Sequence, residues 1–319
     1  MKITISETAA WLLERDNFLV LTHIRPDGDT LGCAAALTQG LRELGKTAFA
    51  LLNPETTPNF IGLINDYYAP EGYRPDYIIS VDTASEALLQ RNASEYIGMV
   101  SLCIDHHQSN QMYAKLTCLY ETCASCGEIV HDILVALSGS ISPKSAEAIY
   151  IALTTDTGCF AYANTTSNTL RIAAQTIDAG APHKVLNKKL FRTKSHNRLH
   201  FECLVISGLE FCFDGAVCIS MIPRTMMDET GVSEDDIDNI SLLPGVIEGV
   251  SAGITIRELT GEQDCKISVR TMHPIDASEI CKRFGGGGHK LAAGASGPYT
   301  LNEFKEKLIA VLRDFFPTS

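Results

Sequence analysis

Four apolar runs in the first half of this 319-residue chain deliver carboxylates or imidazoles at or near their ends, and that arrangement constrains the fold more than any other feature. NFLVLTHIR (17–25) leads into His23, Asp27 and Asp29, and DYIISVD (76–82) stops at Asp82. MVSLCID (99–105) stops at Asp105 with His106 and His107 directly after it, and IALTTDTG carries Asp156 just past a helical run. From Thr30 onward LGCAAALTQGLRELG has helical spacing with Gly45 as its stop, so the first run reads as strand, short acidic loop, helix. KTAFALLN (46–53), DYIISVD and MVSLCID read as further strands, with helices at about 124–138, 144–154 and 168–179. Alternating strands and helices predict an α/β fold whose first half is a mostly parallel sheet flanked by helices. Such sheets bind ligands at the carboxyl ends of their strands, where these acids and histidines fall.

Near residue 183 the texture changes. HKVLNKKLFRTKSHNRLHFECL is rich in Lys and Arg and reads as an exposed linker helix, its charges a solvated face or a guide for an anionic substrate. A second, smaller α/β region follows, with strands near 208–213, 216–222, 250–258 and 264–271 and helices near 233–242, 276–283 and 301–315. The expected domains are therefore 1–182, a linker over 183–205, and 206–319.

Taken singly, an Asp after a strand is a turn residue or a helix cap, and Asp29 before Thr30 would serve as one. Five Asp and three His in these positions exceed what capping needs, because a cap uses one oxygen and these stretches offer two or three groups each. Unpaired charge at the edge of a core is costly, and a cluster of divalent cations removes that cost. Mixed carboxylate and imidazole ligands without thiolate suit Mn²⁺ better than structural zinc and leave Mg²⁺, Fe²⁺ and Co²⁺ open. CLYETCASC groups Cys118, Cys123 and Cys126, but no second Cys/His pair lies at finger-like spacing, so core packing explains it better than zinc. His131, on the amphipathic run that Cys126 opens, reads as a surface or capping residue.

The formal net charge of −12 excludes a broad basic face that grips long nucleic acid by neutralising phosphates, while short anionic substrates remain compatible. The apolar runs are far shorter than a membrane span, and the N-terminus has acids and no long apolar core, so neither a membrane protein nor a secretory signal is expected and the cytoplasm is the default. Eleven cysteines, several inside apolar runs, fit a reducing compartment. Four glycines at 285–288 followed by His289 and Lys290 let a backbone approach an anion closely.

HIRPDGDTLG, VDTAS, CIDHHQ and TTDTG, in this order, resemble the four motifs of the DHH phosphoesterase superfamily, and RFGGGGHKLAAGAS (283–296) resembles the hallmark of the accompanying DHHA1 domain. The likeness spans nearly the whole chain and is strongest to the bifunctional oligoribonuclease and PAP phosphatase group. It implies a DHH catalytic domain and a DHHA1 substrate-binding domain with the active-site cleft between them. It also implies two Mn²⁺ ions. His23 and Asp27 would hold one, Asp29, His106 and Asp156 the other, and Asp82 would bridge them, with Asp105 in support and His107 facing the scissile phosphate. Asp82, Asp105 and His107 are the expected catalytic residues. Substrate binding would fall to His107, Arg270, Gly286, Gly287, Gly288 and His289, with Arg270 in a Ser-x-Arg-Ser pattern whose last serine is here Thr271. Cys33 stands where the motif has a small Ser or Gly, and Cys159-Phe160-Ala161 replaces a frequent Phe-Arg after TDTG. Asn164 and Thr165 are further near-site candidates, or caps of the next helix.

The implied activity is hydrolysis of short RNA to mononucleotides and of 3′-phosphoadenosine 5′-phosphate (PAP) to AMP and phosphate. Breakdown of cyclic dinucleotides or linear pApA and pGpG is the rival within hydrolases. A nucleotide-binding sensor without turnover is the rival of another class. GGGGHKLAAG speaks against a family II pyrophosphatase. The expected partners are short RNA and nucleotides, with no long nucleic acid and no membrane, and a homodimer stays open.

Overall fold

The computed structural model describes residues 1–234, 237, 239–259 and 264–316. The chain divides into two compact units, Met1–Thr193 and Lys194–Ser319.

In the first unit, α1 (Ile5–Leu13) opens on a capping box in which Thr4 and Glu7 satisfy each other's backbone. Then come β1 (Phe18–Leu21), α2 (Gly28–Glu43), β2 (Ala48–Ala50), α3 (Pro58–Ile64), β3 (Tyr77–Val81), β4 (Val100–Asp105) and β5 (Leu116–Leu119). Four helices follow, α4 (Cys126–Ser138), α5 (Pro143–Asp156), α6 (Ser167–Asp178) and α7 (His183–Asn187), the last running into a π-helical turn at Lys188–Arg192. The five strands order β2-β1-β3-β4-β5 and all pair in parallel. From β1 the chain crosses to β2 on one side and then to β3 on the other, so the strand order reverses between β1 and β3. A ligand crevice is expected outside the carboxyl ends of those two strands.

Alternation along the strands divides two cores. Phe18, Val20, Ile79, Val81, Leu102 and Ile104 face α2, α4 and α5. Leu19, Leu21, Ile78 and Cys103 face a smaller cluster closed by Leu89, Ala93 and Ala114. Against α5, α2 presents glycine. A methyl group on Gly32 would sit 2.5 Å from the Ala148 carbonyl, and one on Gly28 would sit 2.4 Å from Thr155. Close approach of these helices is what brings the start of α2 and the end of α5 to one place.

The second unit contains α8 (His196–Ser207), β6 (Glu210–Cys212), β7 (Val217–Ile222), α9 (Arg224–Thr230), β8 (Ala252–Glu258), β9 (Cys265–Thr271), α10 (Ala277–Lys282), β10 (Gly287–His289), β11 (Ala292–Gly297) and α11 (Leu301–Leu312). Its sheet runs β10-β11-β9-β8-β7-β6, antiparallel except for the parallel pair of β7 and β8. Ile254, Ile256, Ile267 and Val269 pack with Ile280 and Cys281 of α10 and with Phe304, Leu308 and Leu312 of α11. Phe201 and Val205 of α8 form a further cluster with Ile222 and Met227.

The expected strands and most expected helices are present. The lysine-rich stretch is not one helix: it divides into α7, the π-helical turn and α8, and the boundary between the units falls within it. The helix expected over 233–242 falls partly outside the described residues, at 235, 236 and 238. The described part instead carries a 3₁₀ segment at Ile240–Val246. GGGGH is no loose loop, since its second half is the edge strand β10. His131 is buried in α4, where its Nδ1 lies 2.8 Å from Asp132 Oδ1, rather than exposed or capping. No helix among the described residues is long and apolar enough to cross a membrane.

Candidate metal centre

Beyond β1, His23 is held from behind. Its Nδ1–H donates to the Ile24 carbonyl at 2.8 Å, which leaves Nε2 as the free lone pair. The buried Asn53 amide donates to the His23 carbonyl at 2.9 Å and to Thr22 Oγ1 at 3.0 Å, fixing the turn below it. His23 Nε2 lies 3.6 Å from Asp27 Oδ1 and 3.6 Å from Asp82 Oδ2.

Asp27 is the cap of α2, accepting the backbone N–H groups of Asp29 and Thr30 at 3.0 and 3.1 Å. Capping therefore belongs to Asp27 rather than to Asp29. Asp29 lies fully buried in the first turn, where it accepts the backbone N–H groups of Cys126 at 2.7 Å and Gly127 at 3.0 Å and the Cys33 thiol at 3.3 Å. Burial pushes the Cys33 and Cys126 thiols well above their usual range, so both keep their hydrogens.

Asp82 follows β3 with φ of +53°, a left-handed conformation that Asp tolerates better than most residues. It is 3% exposed, and its Oδ1 has no hydrogen-bond partner among the described residues. An orphaned carboxylate oxygen at that depth costs free energy unless a cation takes it.

His106, just after β4, donates from Nδ1 to the Cys123 carbonyl at 3.1 Å. Its Nε2 then faces Asp82 Oδ1 at 3.4 Å, Asp156 Oδ2 at 3.5 Å and Asp29 Oδ2 at 3.8 Å. Asp156 is the last residue of α5, and Asn164 bonds both the Asp156 and the Ala124 carbonyls at 3.1 Å. Two groups of ligand atoms result, His23, Asp27 and Asp82 in one and Asp29, His106 and Asp156 in the other, with the atoms of each within 4.8 Å of one another. A third grouping of Asp82, His106 and His107 overlaps both.

Asp105 stands apart from these groups because its oxygens are occupied. Oδ1 accepts His106 N–H and His107 Nδ1–H, each at 2.8 Å, and Oδ2 accepts Asn110 at 2.6 Å. Burial alone would raise its pKa, but the bonds from His107 and Asn110 outweigh that and hold it below the usual carboxylate range. His107 is raised above the usual imidazole range, first by its bond to Asp105.

Crowding of carboxylates sets the electrostatics. Burial, with Asp82 and Asp156 nearby, drives Asp29 well upward, and burial with Asp82 and Asp27 nearby takes Asp156 to about 7. Burial would lower both imidazoles, yet Asp27 and Asp82 bring His23 to about 11, and Asp82, Asp29 and Asp156 bring His106 to about 10. Each group is competing for positive charge. Oxygen and imidazole donors, a buried oxygen without a partner and this field together fit a divalent metal site.

In the second unit, Arg270 and His289 share one row of the sheet. Arg270 of β9 is paired with Ala292 of β11, and Ala292 with His289 of β10. Paired residues in antiparallel strands project to the same face, so the two stand about 10 Å apart across a small alanine. Gly286 and Gly288 owe their lack of side chain to β11, since a methyl on either would fall 2.2 Å from the Gly294 carbonyl or 2.7 Å from the Ala292 carbonyl. Gly287 has open space at the same point.

Several residues of the site escaped the sequence reading. The Cys126 and Gly127 amides and the Cys123 carbonyl act through the backbone, which carries no side-chain signature. Asn110 had only its nearness to the DHH triplet as a signal, whereas Asn164 was already a near-site candidate.

The first unit matches the family model described as the DHH family, N-terminal domain, over residues 17–153, and the second matches the DHHA1 domain over 214–317. Among curated proteins, the chain is 29% identical to the bifunctional oligoribonuclease and PAP phosphatase NrnA of Thermus thermophilus, over 92% of this chain and 89% of that one. It is 28% identical to the Bacillus subtilis protein of the same name, over 88% and 89%. Among solved structures, an exopolyphosphatase-related protein from Bacteroides fragilis superposes with a TM-score of 0.87 at 21% identity, covering 98% of this chain and 96% of that one, and shares its fold. Both motif-bearing halves are thus accounted for, and the chain belongs to the family of DHH proteins that carry a C-terminal DHHA1 domain.

Proposed function

We propose that this chain is a cytosolic two-metal phosphoesterase that hydrolyses short oligoribonucleotides to mononucleotides and PAP to AMP and phosphate. Mn²⁺ is the proposed ion, with Mg²⁺ or Co²⁺ as substitutes. One observation carries the reading: Asp82 belongs to the His23 and Asp27 group, lies 3.4 Å from His106 of the other group, and buries an oxygen with no hydrogen-bond partner among the described residues. The substrate class follows from relatives named oligoribonuclease and PAP phosphatase that align along most of their length.

His23 and Asp27 would hold one ion, Asp29, His106 and Asp156 the other, and Asp82 both. Such a pair supplies a water of lowered pKa and a clamp on the attacking and leaving oxygens of an in-line displacement. The protein's own groups do the rest. Asp105, anchored by Asn110, aims His107, whose Nε2 is then available to a phosphoryl oxygen or leaving group. In the second unit, Arg270 and His289 would supply cationic and hydrogen-bonding contacts for a substrate phosphate, and the Gly286–Gly288 backbone would let that phosphate come close. Residues 1–182 are the proposed catalytic domain and 206–319 the substrate-binding domain, joined by 183–205.

The test is a product time course on pApA, a labelled trinucleotide and PAP, with and without Mn²⁺, run beside cyclic di-AMP. Mononucleotides from the linear RNAs and phosphate from PAP, only with metal, are expected. Turnover of cyclic di-AMP in preference to the linear substrates overturns the assignment, and binding without turnover would make the chain a sensor.

A further inference from the structure

We infer that Cys33 is a positioning residue of the metal centre: its thiol makes Asp29 a one-oxygen ligand. The inference rests on the metal reading above and adds a role that motif matching cannot supply, since Cys33 stands where the motif has a small Ser or Gly. A carboxylate offers about four lone-pair sites. On Asp29, Oδ1 receives two hydrogens, from the Gly127 amide at 3.0 Å and the Cys33 thiol at 3.3 Å, which occupies both of its sites. Oδ2 receives one, from the Cys126 amide at 2.7 Å, and keeps a site on the side where His106 Nε2 lies 3.8 Å away. Only Oδ2 is therefore available to a cation.

The geometry leaves no ready substitute for the thiol. Cys33 lies one helical turn beyond Asp29 on α2 and is fully buried, so solvent cannot donate in its place. Gly127 is pressed against Ala152, where a methyl group would come within 2.7 Å, so its amide cannot swing to take a second role. Without the thiol, Oδ1 regains a free lone pair and the carboxylate gains freedom to rotate.

The test is titration of the metal-free protein with Mn²⁺, following free ion by electron paramagnetic resonance, which reads affinity and not turnover. Cys33→Ala is expected to weaken one of two sites by about tenfold or more, the range seen when a hydrogen-bond partner of a metal ligand is lost. Cys33→Ser, which keeps a donor, is expected within about threefold of the parent. Cys118→Ala removes an equally buried thiol in β5 and is expected to change nothing, which separates donation from packing. Should Cys33→Ala not fold, Cys33→Val fills the space without a donor and carries the same expectation. Parent-like affinity in the donor-less variant, or equal losses in Ser and Ala, overturns the inference and leaves the metal centre standing. A parent protein that binds no Mn²⁺ overturns both.

Discussion

Asp82 occupies a position that no other residue type would fill without loss. Its backbone is left-handed, a conformation in which Asn and Asp are enriched and which costs other non-glycine residues about 1–3 kcal/mol. Its side chain is almost wholly buried, belongs to one ligand group and lies 3.4 Å from His106 of the other. Asp82→Asn keeps the backbone preference and the shape while removing the charge, so the fold should persist with its metal-free melting temperature little changed. Hydrolysis should fall by about 10³-fold, because several kcal/mol of charge stabilisation would go with the shared ligand. The Mn²⁺-dependent rise in melting temperature, about 2.7 kcal/mol of stabilisation at a hundredfold excess over the dissociation constant, should vanish too. Calorimetry of the parent and variant with and without Mn²⁺ checks this, and a variant that keeps the full metal-dependent rise would remove Asp82 from the centre.

Elements, rather than single residues, set the distances in the site. β1, β3 and β4 bring His23, Asp82 and His106 to the reversal point of the sheet, and α2 and α5 deliver Asp29 and Asp156 because glycine lets them pack closely. Gly32→Ala should expose that dependence. Its methyl group would meet the Ala148 carbonyl at 2.5 Å and Ala152 Cβ at 3.0 Å, and neither is the end of a flexible side chain. Overpacking of this kind costs about 1–3 kcal/mol, and relief requires α2 to move from α5. A lower melting temperature together with weaker Mn²⁺ binding is expected; lower stability with unchanged affinity would mean that the helix shift does not reach Asp29 and Asp156. The candidate ligands that the structure brings together were legible in the sequence because each is a polar group where an apolar run should simply end. The inter-helix glycines were not, since Gly28 and Gly32 acquire meaning only when α5, more than a hundred residues later, packs on them. Likewise β10 and β11 were hidden because GGGGHKLAAGA has the composition of a loop, and its glycines are demanded by cross-strand contact that no local pattern records.

At the scale of the molecule, charge separates a processor of short substrates from a protein that tracks along a strand. A net charge of −12 argues against a broad basic surface making the six to ten phosphate contacts that give strand binders their steep salt dependence. Arg270 and His289, in one row of the second sheet, would under the proposed function provide one or two such contacts instead. The slope of log affinity against log salt for single strands is about −0.7 per neutralised phosphate, so one or two contacts predict a loss of about three- to sevenfold between 50 and 200 mM salt. A strand-gripping protein would lose about 10³-fold or more over the same range. KM for pApA measured across that range should therefore rise by less than about tenfold. Arg270→Ala should raise KM at both ends and flatten the slope by about 0.7. A steep slope in the parent protein would point to a basic path for longer RNA that this acidic chain is not expected to possess, whereas a slope unmoved by Arg270→Ala would take that arginine off the substrate's phosphate.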